Sequence, residues 1–248
     1  MNFYSGYRVH NYHFAAYGAT FLGQYAPAIA AADELIETMP EEVLRTPSPP
    51  MADFFESYVS IRQHVLIRFG KWREIIAQEL PADRDLYCNT VAMIHYAKGV
   101  AHAALGDVPA AEAEQALFRE AVKRVPKSRY LHNVPCPQLL AVAEETLAGE
   151  IAYRRGDHDT AFARLRAAVA LEDDLPYDEP WGWMRPVRHA LGALLLEQDR
   201  TAEAEAIYRE DLGLGGALPR AQIHPDICGP CAGCWTASSD AARLRRPC

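Results

Sequence analysis

The chain has 248 residues, half of them hydrophobic, and a formal net charge of −8 at pH 7. That length suffices for one sizeable core or one repeat array, and the acidic balance, with no basic stripe, argues against nucleic acid or an anionic membrane as a partner. No apolar run approaches the roughly 20 residues that span a bilayer, and the opening MNFYSGYRVHNYHFAAYG lacks the charged-then-apolar layout of a signal peptide, so a cytoplasmic protein is expected.

Helices are predicted in pairs. The first pair covers about 7–22 and 25–38, around the turn FLGQYAPAIAA at 21–31. The second covers 51–69 and 71–79, around RFGKWREII at 68–76. The third covers 87–105 and 107–124, around ALGDVPAAEA at 104–113. The fourth covers 137–155 and 157–171, around RRGDHDTAFA at 154–163. The fifth covers 183–198 and 200–211, around EQDRTAEAEA at 197–206. The turn residue is Gly23, Gly70, Gly106 or Gly156, with Asp199 in the last copy. Glycine suits the left-handed conformation that ends a helix. Five residues later come Ala28, Ile75, Ala111, Ala161 and Ala204; seven residues earlier come Ala16, Gln63, Gly99, Gly149 and Gly192. Mostly small residues at both places let two helices cross closely. The intervals between turns are unequal, the excess falling in linkers such as RTPSPP (45–50) and EDDLPYDEPWGW (172–183). Pro40, Pro81, Pro126, Pro176 and Pro219 all fall between pairs, where proline belongs. No stretch alternates with period two, so no strand is predicted. One pair cannot bury its apolar face alone, and stacking makes the core continuous.

This pattern resembles the tetratricopeptide repeat: small at the eighth position, glycine at the turn, alanine after it. HNYHFAAYGATFLG, HYAKGVAHAALGD and LPYDEPWGWMRPVRHALGALLLEQDR further resemble the C-terminal half of longer bacterial tetratricopeptide proteins without a settled activity. The resemblance implies an all-α fold, a right-handed superhelical stack of antiparallel helical hairpins over residues 1–215. It also implies that the chain is a piece of a longer array, and it leaves function open.

In such a stack the first helix of each hairpin lines the concave face. Counting back from the turns places His10, His13 and Tyr17 there, on one helical face. They are joined by Ser57, Ser60 and His64, by Met93, Tyr96 and Val100, by Thr146 and Glu150, and by His189. A groove rich in histidine, tyrosine and hydroxyls reads as a non-catalytic binding scaffold for a protein, a peptide or a small polar ligand. The chain is expected to act as a monomer without cofactor. The competing reading is a metal site, for zinc, copper or iron, on His10, His13 and His64 with Glu150 or His189. Two histidines three apart are a weak signal for it. Ser57 and Ser60 near His64 lack the strained elbow and third partner of a triad, and no nucleophile motif, phosphate loop or dinucleotide fingerprint occurs. His95 and His102 read as packed; His132, His158 and His224 read as solvated. The acidic run Glu172, Asp173, Asp174, Asp178 and Glu179 reads as a solvated linker without EF-hand spacing, with Trp181 and Trp183 anchoring it against the last hairpin.

Residues 216–248 form a cysteine-rich tail. Cys228, Cys231 and Cys234 have the spacing of a zinc or iron–sulfur knuckle, with Cys248 as a fourth ligand. A rival reading uses the genetic code. GC-rich codons for 227–242, read two nucleotides on, can encode an amphipathic helix with tryptophan and glycine four apart, as a sixth hairpin requires. On that reading the residues after Asp226 are out of frame and the tail has no function.

Overall fold

In the computed structural model, residues 3–216 and 218–224 are described. Their helices are α1 (Phe3–Phe21), α2 (Tyr25–Glu37), α3 (Glu41–Leu44), α4 (Met51–Phe55), α5 (Ile61–Arg68), α6 (Trp72–Ala77), α7 (Cys88–Ala104), α8 (Val108–Val122), α9 (Cys136–Arg155), α10 (His158–Asp173), α11 (Val187–Glu197) and α12 (Thr201–Asp211). Adjacent helices pack as hairpins α1–α2, α7–α8, α9–α10 and α11–α12, with α5–α6 the shorter second pair. Fold and sequence agree: the chain is a mostly helical stack of hairpins of the tetratricopeptide type.

The five turns share one construction. The turn residues all take positive φ, including Asp199 at 56°. Each donates its N–H three residues back, and the next residue donates five residues back: Gly106 N to Ala103 O at 2.9 Å and Asp107 N to His102 O at 2.9 Å, or Asp199 N to Leu196 O at 3.1 Å and Arg200 N to Leu195 O at 2.9 Å. This is the Schellman motif, which satisfies the last carbonyls of the first helix. Asp107 and Asp157 then accept from Ala110 N and Thr160 N, both at 3.2 Å, and so cap the second helix of their pairs.

The small positions lie where helices meet. Ala28, Ile75, Ala111, Ala161 and Ala204 are all fully buried. A Cβ added to Gly149 would come within 2.7 Å of Leu165 on α10, and one added to Gly192 within 2.5 Å of Tyr208 on α12. Each glycine therefore sets how closely its hairpin closes.

Three local differences from the sequence expectation have physical causes. The predicted helix 51–69 is broken by a 3₁₀ segment, Glu56–Ser60. There the fully buried Glu56 carboxylate accepts from Thr90 N at 2.8 Å, at the N-terminus of α7, and from Arg129 Nη1 at 2.7 Å. Tightening the chain brings this acid to the unpaired N–H groups of another helix. Second, residues Tyr130–Leu131 and Val134–Pro135 pair antiparallel as β1 and β2, a two-residue ladder too short to leave a periodic trace. Third, the last pair starts at Val187 rather than near 183, because Trp181 to Pro186 are committed elsewhere.

Candidate functional site

The segment 174–186 connects α10 to α11, and it is no solvated linker. Glu172, Asp178, Trp181, Trp183 and Met184 are buried, while Tyr177 is exposed. Trp183 is fully enclosed, 1% exposed. Its ring meets His64 on α5 edge-on, with centroids 4.8 Å apart, and Tyr96 on α7 at 5.6 Å. Gly182 passes so close to the β-ladder that a Cβ there would lie 2.8 Å from Val134. Asp178 accepts from Asn133 Nδ2 and from Glu179 N and pairs with the His132 ring. Glu172, at the end of α10, accepts from Val187 N at 2.8 Å and so caps α11. The chain thus lays its own peptide along the predicted concave face.

That peptide divides the predicted groove residues. His13, Ser60 and His64 are buried beneath or beside it. Neither ring nitrogen of His13 has a hydrogen-bond partner among the described residues, nor has His64 Nδ1. Burial drives the His13 pKa down to about 3, with His10 and His132 adding to the effect. Burial also drives His64 well below its ordinary value, with Arg185 and His13 behind it. Both rings are therefore neutral. His10 lies outside this buried pair, its ring 5.1 Å from that of His132, on the wall of a cavity of about 880 Å³ walled also by Phe54, Phe55 and Tyr58. Among the described residues, no group of three or more histidine, cysteine, aspartate or glutamate side chains could hold a metal ion, so His10, His13 and His64 are not brought into a ligand set. The other candidate ligands, Cys228, Cys231, Cys234 and Cys248, lie outside the described residues.

Tyr96, Glu150 and His189 do converge. They line a second cavity of about 270 Å³ on the inner face, together with Thr20, Arg68, Arg154, Arg185 and Glu197. The first helix of every hairpin contributes to it, from α1, α5, α7, α9 and α11. Its floor is apolar, with Ile67, Val100, Met184, Ala190 and Ala193. Arg185 Nη2 donates to Tyr96 Oη at 3.0 Å, while its Nε is buried without a partner. Arg154 faces Glu197 at 3.6 Å. Burial pushes the Glu150 carboxyl pKa up, against the pull of Arg154 and Arg185.

The far wall is tied down by Asp211. It accepts from His189 Nε2 and from His224 Nδ1, both at 3.0 Å. Burial alone would raise the Asp211 pKa, but these two bonds hold it below the ordinary carboxylate value. Phe21 at the end of α1 stacks on His224 at 5.3 Å, and Tyr17 is held protonated by burial and then by Glu172 and Asp211. The first hairpin therefore reaches the last across the cavity. His224, expected in solvent, is a packing and hydrogen-bonding residue. His95 is packed as expected and pairs with Glu114 at 2.7 Å.

Sequence reasoning missed Arg185, Arg154 and Glu197. Arg154 and Glu197 each follow the groove residues Glu150 and Ala193 by one helical turn, which a longer inward count would have reached. Arg185 sits in an irregular segment and has no periodic signal.

The hairpins and the lined inner face define a helical-repeat protein. A family model for the tetratricopeptide repeat matches residues 92–114 and 186–210, which hold the α7–α8 and α11–α12 turns. No curated protein and no solved structure matches the chain significantly. No helix among the described residues is long and apolar enough to cross a membrane.

Proposed function

We propose that the chain is a non-catalytic binding scaffold. A protein or peptide partner presents a polar group to the inner cavity, where Glu150, Arg185 and His189 receive it and Tyr96 positions Arg185. The observation that carries this reading is the convergence of charged side chains from separate hairpins on one cavity. A stack built only for rigidity would fill that space with apolar side chains, because charged groups with little solvent cost free energy unless they are paired. Hairpin stacks of this kind offer a concave surface on which a few polar contacts set specificity.

The test is a displayed library of random peptides selected on the full chain and counter-selected on Glu150→Ala, Arg185→Ala and His189→Ala variants of unchanged circular dichroism. Peptides that bind the parent and lose at least tenfold in affinity on two of the three variants support the scaffold. Peptides that bind all four proteins alike, or no enrichment at all, overturn it.

A further inference from the structure

The inner cavity carries an opposed pair of charges that the protein does not use on itself. Arg185 forms no ion pair among the described residues; its one hydrogen bond goes to the neutral Tyr96 hydroxyl, and its Nε is buried without an acceptor. Glu150 accepts no hydrogen bond from a described residue. Glu150 feels Arg154, one turn along α9, and then Arg185, but it is hydrogen-bonded to neither. The other charges on the wall are engaged: Arg154 faces Glu197, and His189 is bonded to Asp211. Both residues are partly buried, and a fold that merely tolerated two partly desolvated opposite charges would gain by pairing them. Holding them apart leaves one site for an anion and one for a cation in the same space.

We infer that the cavity binds a small zwitterion of the α-amino-acid class, its carboxylate on Arg185 and its ammonium on Glu150. This rests on the binding reading above and names the chemistry of what is bound. Size agrees. A protein cavity near 150 Å³ holds a benzene-sized molecule, so about 270 Å³ takes roughly ten non-hydrogen atoms by the same proportion. The apolar floor of Val100, Ala190 and Ala193 suits an aliphatic side chain. The planar guanidinium, already oriented by Tyr96, suits a carboxylate. Two sources carry this chemistry: a free amino acid, and the last residue of a peptide whose side chain ends in an amine.

The experiment is calorimetric titration and thermal denaturation of the full chain with free neutral amino acids and with their carboxamide and N-acetyl derivatives. N-acetylated peptides ending in lysine form the second arm. The expected result is saturable binding of at least one zwitterion, with affinity at least tenfold weaker after either charge is masked. Glu150→Gln and Arg185→Met, folded as judged by circular dichroism, lose at least tenfold as well. Binding of the lysine-ended peptides in place of free amino acids overturns the α-amino-acid assignment, because their ammonium lies four methylenes further from the carboxylate, and places the charge pairing at a peptide end. Masked derivatives that bind as well as their parents overturn the inference, and so does the absence of binding in both arms; the ligand comparisons need no variant. Should the peptide library succeed while every zwitterion fails, this inference falls and the scaffold stands. Should both fail, both fall.

Discussion

Acid should destabilise this protein through His13, and the size of the effect follows from its surroundings. The His13 ring is 1% exposed, packs edge-on against Tyr58 with centroids 5.6 Å apart, and has no partner on either nitrogen. Its pKa in the folded chain falls to about 3 from 6.5. Below pH 6.5 the unfolded chain therefore holds a proton at this residue that the folded chain does not. Stability is greatest above pH 6.5 and declines as pH falls toward the folded value, by about 1.4 kcal/mol per pH unit. Between pH 6.5 and pH 5 the loss from His13 alone is about 2 kcal/mol. In urea, with a slope near 2 kcal/mol per molar, that moves the midpoint by about 1 M. Unfolding would be followed at pH 7.5 and pH 5 for the parent and for His13→Leu, which cannot titrate. Other shifted groups contribute to both proteins alike, apart from the part of the His64 shift that His13 itself supplies. His64 and His10 act in the same direction as His13, whereas the raised carboxyls of Glu56, Glu150 and Glu172 act in the opposite one. The difference between the two proteins isolates His13. Leucine should also leave stability at pH 7.5 unchanged or raised, because it removes a buried polar group without partners. Equal pH dependence in the two proteins would refute the reasoning, since His13 would then be protonated when folded or hydrogen-bonded.

Three further outcomes are expected. Gly192→Ala should lower stability by about 1–2 kcal/mol in urea unfolding, because strain against Tyr208 outweighs the helix-propensity gain, whereas Gly18→Ala, where a Cβ meets nothing within 4 Å, should raise it by up to ~1 kcal/mol. Arg129→Met should cost about 3–5 kcal/mol by the same assay, since it strips the fully buried Glu56 of its countercharge, and adding Glu56→Gln should restore a substantial part. Trp183→Ala should cost about 3–5 kcal/mol and increase quenching of the remaining tryptophans by acrylamide, as the inner face is uncovered.

The parts of this fold that could be read in advance are those fixed within one hairpin. A positive φ at the turn, a small residue where helices cross and a capping aspartate each act over a few residues, so each leaves a mark at a fixed offset. Asp199 fits because the turn needs a left-handed residue more than it needs glycine, and aspartate tolerates that conformation. Tyr96, Thr146, Glu150 and His189, counted back from their turns, line one cavity for the same reason. The inner face as a site was only half legible. Tyr96, Glu150 and His189 share a cavity as their register implies, but Trp183 and Arg185 come from an irregular segment, and what they touch is decided by tertiary packing. Glu56 was invisible for a related reason: the arginine that makes its burial possible lies 73 residues away. Acidic residues near prolines look like a solvated linker until a capping role claims Glu172 and a histidine pair claims Asp178.

The segment 174–186 also determines what the inner face can accept. An open concave surface would suit an extended peptide along its whole length. With Trp183 lodged between His64 and Tyr96, the middle of that surface is filled, and what remains beside α11 is a partly open cavity of small-molecule size. The same segment delivers Arg185 to the wall and leads through Pro186 into α11, whose first turn is capped by Glu172. Filling the groove and charging the cavity are thus one structural act. Arg185 is oriented by its bond to the Tyr96 hydroxyl and stands directly before Pro186, while Glu150 projects from the long helix α9. Separation of opposite charges on the wall of one cavity is what prepares a site for a ligand bearing the complementary pair. An occupant lacking one of those charges would leave its counterpart partly desolvated and unpaired.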